Sequence, residues 1–287
     1  MVDLALSVLC SSLIFVVFKF FGTYRVRTLH AIVVNYVVAC CCGLCFSSTP
    51  FHFYGLLATP WFWRTLMLGM LFIIIFNAIA LASQRNGVGV TAVATKMSLV
   101  VPVLFAVVYY RDTPSAWQLV GIGLALAAVY MASIKKNSTR TTVKNLGLPL
   151  IVFLGSGLID TAINYIRDAF LTAAEYPLFS ATVFGAAACG GLIFIVLNGK
   201  KRAEGNIIRD LCAGITLGIP NYFSIFFLLR ALQHPSYSSS AIFTVNNVAI
   251  VLFTALLGML LFKERPSAKN YLGLLLAIFS IILVALY

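Results

Sequence analysis

Charged residues are scarce in this sequence. Only 10% of its 287 residues are Asp, Glu, Lys or Arg, while 61% are hydrophobic, and a soluble domain carries about 25% charged residues. Such a chain cannot cover a water-facing surface, so most outward positions must face hydrocarbon. The 20 basic and 8 acidic residues give a formal charge of +12. The basic residues stand in short gaps between apolar runs. We therefore interpret them as topology signals that lie next to anionic lipid, and not as a nucleic-acid-binding surface.

The sequence also lacks the patterns of known catalytic and metal sites. Its 3 histidines are far apart, and no HExxH, GxSxG, Walker loop or paired-carboxylate spacing is present. The cysteines between Cys40 and Cys45 are interpreted as small apolar residues of a membrane helix, not as metal ligands or a disulfide framework. We therefore expect no enzyme, no cofactor and no metal. An integral-membrane enzyme is kept as a remote alternative.

Apolar runs long enough to cross a membrane fill most of the chain. A spanning helix needs about 20 mostly apolar residues, and ten such runs can be drawn, which predicts an all-α membrane protein. The gaps are short, so sequential helices should be neighbours. The predicted spans are 3–22, 29–47, 62–83, 88–110, 115–134, 146–165, 177–198, 209–232, 238–262 and 268–286.

A repeated pattern divides the chain into two halves. YYRDTPSAWQLVGIGLALAAVYMAS begins at Tyr109, and LFKERPSAKNYLGLLLAIFSIILVA begins at Leu261. Each is an apolar helix end, a basic residue with an acid, Pro-Ser, and another apolar helix. The matching residues stand at one constant offset of 152 positions: Asp112 and Glu264, Pro114 and Pro266, Ser115 and Ser267, Gly121 and Gly273.

The repeat predicts a first five-helix unit at 1–134, a polar linker at 135–145 and a second five-helix unit at 146–287. Because five is an odd number, the second unit enters the membrane in the opposite sense, as an inverted repeat. Loops after odd-numbered helices carry 14 Lys and Arg residues, and loops after even-numbered helices carry 4. The positive-inside rule therefore predicts cytoplasmic odd loops and both termini outside.

The segments TKMSLVVPVLFAVVYYRDTPSAWQLVGIGLALAAVYM and TVNNVAIVLFTALLGMLLFKERPSAKNYLGLLLAIFSIIL resemble the two repeats of the drug/metabolite transporter superfamily, EamA type. The resemblance covers the whole chain in helix count and repeat order. It implies a multi-pass inner-membrane carrier of small metabolites, often an efflux protein, with a central cavity between the halves. Members commonly place both termini in the cytoplasm, whereas the charge count predicts the reverse, and our expected orientation follows the charge.

Two charged residues are predicted inside the membrane, where such groups are costly. Lys96 lies in the fourth helix, where it can bind an anionic group of a solute, snorkel to the interface or pair with Asp160. Asp160, with Asn164 one turn later in the sixth helix, can hold a cationic group or a coupling proton. Its structural alternative is a wetted position near the helix end, paired with Arg167. Pro102 can kink the fourth helix beside the site. Asp160, Asn164 and Pro102 are the coupling or gating candidates.

Amide side chains complete the predicted substrate site. Asn246 and Asn247 occupy the region of the ninth helix that corresponds to the surroundings of Lys96, and at most one should face the cavity squarely because adjacent helical residues are about 100° apart. Interhelical hydrogen bonding is the alternative for every amide. The further substrate-binding candidates are Asn35, Asn77, Asn221 and Tyr222.

These observations predict a secondary transporter that works by alternating access. The expected solute is an amino acid or a similar zwitterionic or amphiphilic metabolite, held by the lysine and the asparagines, and export is the expected direction. The alternative is exchange of anionic metabolites such as nucleotide-sugars or organophosphates, which usually needs more cavity cations. The expected partners are the solute, the lipid bilayer and protons as a candidate coupling ion, without nucleic acid. The expected oligomeric state is a monomer or a weak homodimer.

Overall fold

A computed structural model describes residues 2–46, 56–57, 59–109, 115–133, 143–172, 175–198, 206–232 and 239–286. The regular secondary structure of these residues is helical, and they contain no strand. The helices are α1 (Val2–Thr23), α2 (Thr28–Cys45), α3 (Phe62–Asn86), α4 (Val88–Met97), α5 (Val100–Tyr109), α6 (Ala116–Ser133), α7 (Val143–Phe170), α8 (Tyr176–Asn198), α9 (Ile207–Leu232), α10 (Ser239–Phe262) and α11 (Ala268–Leu286).

Eight helical segments of the described chain are long and apolar enough to cross a membrane. They correspond to α1, α2, α3, α4 together with α5, α7, α8, α9 and α10. The apolar stretches of α6 and α11, Ala116–Ala132 and Ala268–Leu283, are shorter than these eight segments. The prediction of an all-α, multi-pass membrane protein is therefore confirmed. The Asp112 turn lies outside the described residues, as does the predicted linker up to residue 142, while Val143–Asn145 already belong to α7.

The predicted fourth span is not one helix but two, α4 and α5, which are separated at Ser98 and Leu99. Pro102 explains the interruption, because it has no N–H to donate to the carbonyl of Ser98 and its ring crowds that carbonyl. The Ser98 carbonyl instead accepts a hydrogen bond from the N–H of Val101 at 2.9 Å, which closes a tighter turn. The break lies two residues after Lys96.

One end of the helix bundle, here called the Glu264 end, is joined by polar contacts. The Glu264 carboxylate lies 3.5 Å from the ammonium of Lys19 at the end of α1 and accepts a hydrogen bond at 3.2 Å from the N–H of Val88 at the start of α4. Arg27, just before α2, forms an ion pair with Asp210 in the first turn of α9. The ends of α1 and α10 and the starts of α2, α4 and α9 therefore lie together.

The opposite end, here called the Trp61 end, gathers the other helix termini. It contains the starts of α1, α3 and α8 and the ends of α7 and α9. Its contacts are the Asp3–Arg230 ion pair (3.6 Å), the hydrogen bond from Trp61 Nε1 to Glu175 Oε1 (3.1 Å) and the Arg64 guanidinium over the Phe170 ring (4.2 Å).

Helix α2 packs closely against α9 because two glycines of α9 carry no side chain. A Cβ added at Gly214 would lie 2.7 Å from the carbonyl oxygen of Ala31, and one at Gly218 would lie 2.9 Å from that of Asn35. Small residues four positions apart allow membrane helices to approach in this way. The contact carries Asn221, one turn beyond Gly218, to the side of α2.

Candidate functional site

The main cavity of the described structure has a volume of about 650 Å³ and lies among α3, α4, α5, α7, α8, α9 and α10. Ligand pockets usually measure about 300–1,000 Å³, so the cavity has room for a small metabolite. On α7, α9 and α10 the lining residues lie at or beyond the helix middle, toward the Trp61 end. Its polar wall consists of Thr95, Lys96, Ser156, Asp160, Asn164, Asn221, Asn246 and Asn247.

Seven residues that the sequence singled out meet at this cavity, although they come from five different helices. The break between α4 and α5 places Lys96 and Pro102 on the same cavity wall, on either side of the interrupted turn. No signal in the sequence fixes such convergence, since the residues are up to 151 positions apart. The seven are Lys96, Pro102, Asp160, Asn164, Asn221, Asn246 and Asn247.

Lys96 and Asp160 face the same cavity without forming a direct ion pair. The ion pairs within 4.0 Å in the described part of the chain are Lys19–Glu264, Arg27–Asp210 and Arg230–Asp3. The Asp160 side chain is exposed and accepts a 3.4 Å hydrogen bond from Ser98 Oγ, and Lys96 is half-buried.

The surroundings of Asp160 differ from the structural alternative given above. Helix α7 continues to Phe170, so Asp160 is ten residues inside the helix and not near its end. The side chain of Arg167, its expected structural partner, lies outside the described residues. The cavity therefore presents one cation and one anion side by side, each with room for a further partner.

Asn246 contributes an unsatisfied acceptor to the cavity wall. The residue is 2% exposed, and its Oδ1 atom is buried with no hydrogen-bond donor among the described residues. Ser156, at 7% exposure, has a buried hydroxyl in the same condition. Buried polar atoms are rarely left without a partner, so a donor supplied by a solute or water fits here. Asn247, which is half-buried, also lines the cavity.

Three predicted substrate-binding residues are not brought to the cavity. Asn35 is fully buried between α2 and α9, where its side-chain oxygen accepts a 3.1 Å hydrogen bond from Asn221. Asn77 donates to the backbone carbonyl one turn earlier in its own helix, as short polar side chains do when no other partner is near. Tyr222 stacks on Phe46 at 5.7 Å between ring centroids. Interhelical or local bonding therefore accounts for these side chains.

The sequence did not reveal the apolar wall that faces the polar groups. Phe72 and Phe76 stand one helical turn apart on α3, and Phe184 on α8 packs against Phe72 with its centroid 6.1 Å away. The hydroxyl of Tyr36 donates a 3.1 Å hydrogen bond to the backbone carbonyl of Phe72. The spacing of Phe72 and Phe76 was a visible signal for one shared face, but phenylalanine is so frequent here that the signal was not specific.

Between the cavity and the Glu264 end, the bundle is packed with apolar side chains. Val93 of α4 is 1% exposed, and Ile250 and Val251 of α10 are fully buried. Beyond this layer, Glu264 joins α10 to α1 and to the start of α4. The structure is therefore closed toward the Glu264 end.

The fold and the site together define a multi-pass α-helical membrane protein with a charged internal cavity. No protein-family model matches the chain. A protein of Haemophilus influenzae, described as an uncharacterized protein, is 27% identical over 287 residues, which cover 97% of this chain and 96% of the relative. A solved crystal structure shares the fold with a TM-score of 0.63 and 11% identity, covering 99% of this chain and 96% of that chain.

Proposed function

We propose that this protein is a secondary transporter that carries a small zwitterionic metabolite, such as an amino acid, by alternating access. The observation on which the proposal rests is the pair of opposite charges, Lys96 and Asp160, which face one internal cavity without an ion pair between them. A charge inside a membrane protein is retained at considerable cost, and its usual reason is a solute or ion pathway.

The cavity complements a zwitterion group by group. The ammonium of Lys96 matches a carboxylate, and the carboxylate of Asp160 matches an ammonium. The free oxygen of Asn246 accepts a further N–H. The ring faces of Phe72 and Phe184 pack against an apolar side chain of the solute. We expect the charge-assisted hydrogen bonds to supply most of the discrimination, since each contributes about 1.5–3 kcal/mol.

Exchange of anionic metabolites is the second candidate, and the lining disfavours it. Lys96 is the one cationic residue among the cavity-lining residues of the described chain, and the carboxylate of Asp160 stands on the same wall. A phosphorylated solute carries about two negative charges at neutral pH. It would meet a site with no net positive charge.

Alternating access needs one closed and one open end, and the arrangement supports this. The cavity occupies the part of the bundle toward the Trp61 end, and the apolar layer with the Glu264 contacts closes the other. The break between α4 and α5 supplies non-helical backbone where it lines a cavity, as discontinuous helices do in transporters. Opening the Glu264 end requires Glu264 to release Lys19 and the start of α4.

The proposal includes ten spans in two inverted repeats of the EamA type, with 1–134 and 146–287 as the repeats. Pairing α1 with α7, α2 with α8, α3 with α9, α4–α5 with α10 and α6 with α11 supports it, because the main helix contacts are exchanged by that pairing. Thus α2 packs on α9 as α8 packs on α3, α1 packs on α9 as α7 packs on α3, and α1 packs on α10 as α7 packs on α4. In addition, the first helices of the two units run in opposite directions, because α1 ends at the Glu264 end and α7 ends at the Trp61 end.

The proposed orientation places the Glu264 end in the cytoplasm of an inner-membrane protein, because the described basic residues that follow the odd-numbered predicted spans lie at that end. They are Arg25, Arg27, Arg85, Arg209, Lys263, Arg265 and Lys269. The cavity then faces outward. Protons are the proposed coupling ion, with Asp160 as the group that exchanges them, and export is the direction that the resemblance implies.

Purified protein in liposomes tests the function directly. Uptake or counterflow of radiolabelled neutral amino acids is compared with that of glucose 6-phosphate and UDP-glucose, with empty liposomes as the background. We expect saturable movement of at least one zwitterion and none of the phosphorylated solutes. Transport confined to the phosphorylated solutes would establish the second candidate, and turnover of a solute into a new compound would establish an enzyme.

A further inference from the structure

A second cavity lies at the Glu264 end, separate from the proposed solute site. Its volume is about 290 Å³, and it is bounded by α1, the end of α3, α4, the end of α6, α10 and α11. It shares no lining residue with the main cavity. Its floor is apolar, formed by Val90, Val93, Ala255, Met259 and Leu274, while the basic residues Lys19, Arg85 and Arg265 stand around it.

The positive charge of this second cavity is only partly compensated. Its carboxylate, Glu264, is engaged by the Lys19 ammonium and the Val88 N–H. Arg85 and Arg265 are exposed, and neither has a carboxylate within 4.0 Å in the described ranges. Two guanidinium groups with unused donors therefore flank an apolar pocket.

The position of the second cavity gives it access to lipid. It lies where the spans end, and Tyr271, at its edge, is 47% exposed. Leu272 and Leu275 of the same helix are 45% and 52% exposed, which is the pattern of a helix face in contact with acyl chains. A ligand here can keep a charged group between the arginines while its apolar part remains in the membrane.

We propose that the second cavity binds the phosphate of an anionic phospholipid from the leaflet at the Glu264 end. The guanidinium fork of arginine donates two parallel hydrogen bonds to phosphate oxygens, which lysine cannot do in the same geometry. The apolar floor accepts the glycerol and the first methylene groups. Since pockets for whole ligands start at about 300 Å³, the cavity holds only the headgroup region. The proposal does not depend on the transport function.

The charge-matched control lies in the same part of the chain. Lys263 and Lys269 are exposed basic residues near the same end, and neither lines the second cavity. The double variant Lys263→Ala/Lys269→Ala therefore removes the same charge as Arg85→Ala/Arg265→Ala. The circular-dichroism helix signal and gel-filtration profile of both variants establish that they fold.

Native mass spectrometry of the full-length protein, titrated with phosphatidylglycerol and with phosphatidylcholine in detergent, measures the binding. We expect a phosphatidylglycerol adduct preferred over phosphatidylcholine in the wild type and in the lysine variant. In the arginine variant we expect its affinity to fall roughly tenfold or more. Equal weakening in both variants would show a diffuse charge effect and overturn the proposal, as would wild-type affinity in the arginine variant.

A second arm separates lipid from free phosphate. Inorganic phosphate and glycerol 3-phosphate are tested for thermal stabilisation of the delipidated wild-type protein. No stabilisation at concentrations where phosphatidylglycerol stabilises supports a lipid site. Stabilisation by glycerol 3-phosphate that equals the effect of the lipid overturns the lipid assignment.

Discussion

Replacing Lys96 with methionine distinguishes a solute-binding cation from half of a structural ion pair. Methionine keeps the apolar stem and removes the charge. If Lys96 were paired with Asp160 in a dry interior, its loss would leave a buried charge unpaired and cost about 3–5 kcal/mol of stability. The structure shows both side chains lining a cavity with no ion pair between them. We therefore expect little loss of stability, the more so because a mid-membrane lysine itself costs about 2.5–3.5 kcal/mol on insertion.

The expected effect of Lys96→Met on transport is large and selective. Loss of one charge-assisted hydrogen bond of about 1.5–3 kcal/mol corresponds to a roughly tenfold to 150-fold rise in apparent KM for a solute with a carboxylate. The matching amine lacks that carboxylate and makes no such bond to Lys96, so its affinity should not change. Competition by the amino acid and by its amine is therefore measured against uptake of the labelled amino acid in liposomes.

Two measurements on the same samples complete the Lys96 experiment. Chemical denaturation reports stability, and Lys269→Met, which removes an exposed lysine outside both cavities, is the control for net charge. Equal weakening for the acid and the amine would refute the assigned role of Lys96. A loss of several kcal/mol in stability with unchanged selectivity would instead establish the structural pair.

Three further perturbations test the packing and the closed end. Asp210→Ala should lower the stability by about 3 kcal/mol, measured by denaturation, because it leaves Arg27 without its largely buried partner; an unchanged midpoint would contradict this. In a cysteine-free background that carries Val93→Cys, Glu264→Gln should raise maleimide labelling, because the closed end loses the Lys19–Glu264 ion pair. Unchanged labelling would show that Glu264 does not help to close this end. Gly157→Ala should cost about 1–3 kcal/mol, since its methyl group would overlap a side chain of α5 and the carbonyl of Ser98, whereas the same change at Gly123, with nothing within 4 Å, should not destabilise.

The helical membrane architecture was predictable because apolar runs of spanning length are a one-dimensional signal. Predicted span 209–232 compares with Ile207–Leu232, and 3–22 with Val2–Thr23. The interruption at Ser98 was less visible. A proline marks a place where a helix can kink, but whether the helix bends or divides depends on the helices packed around it.

The candidate site was only partly predictable because polar residues in a membrane have two uses that look alike in sequence. Asn35, Asn77 and Asn246 are all amide side chains inside apolar helices. The structure bonds the first to another helix and the second to its own backbone, while the third keeps a free oxygen at the cavity. That outcome is decided by which face of each helix meets which neighbour, and periodicity is weak in helices that are apolar all round.

The attachment of α2 to α9 has a consequence for how the molecule can move. The two helices are joined at three levels: the Arg27–Asp210 ion pair near one end, the glycine contact in the middle, and the hydrogen bond that the Asn221 side chain donates to Asn35 beyond it. Helix α2 comes from the N-terminal part of the chain and α9 from the C-terminal part. We therefore expect α2 and α9 to move together in the proposed alternating access, so that the body containing them combines helices from both parts of the chain.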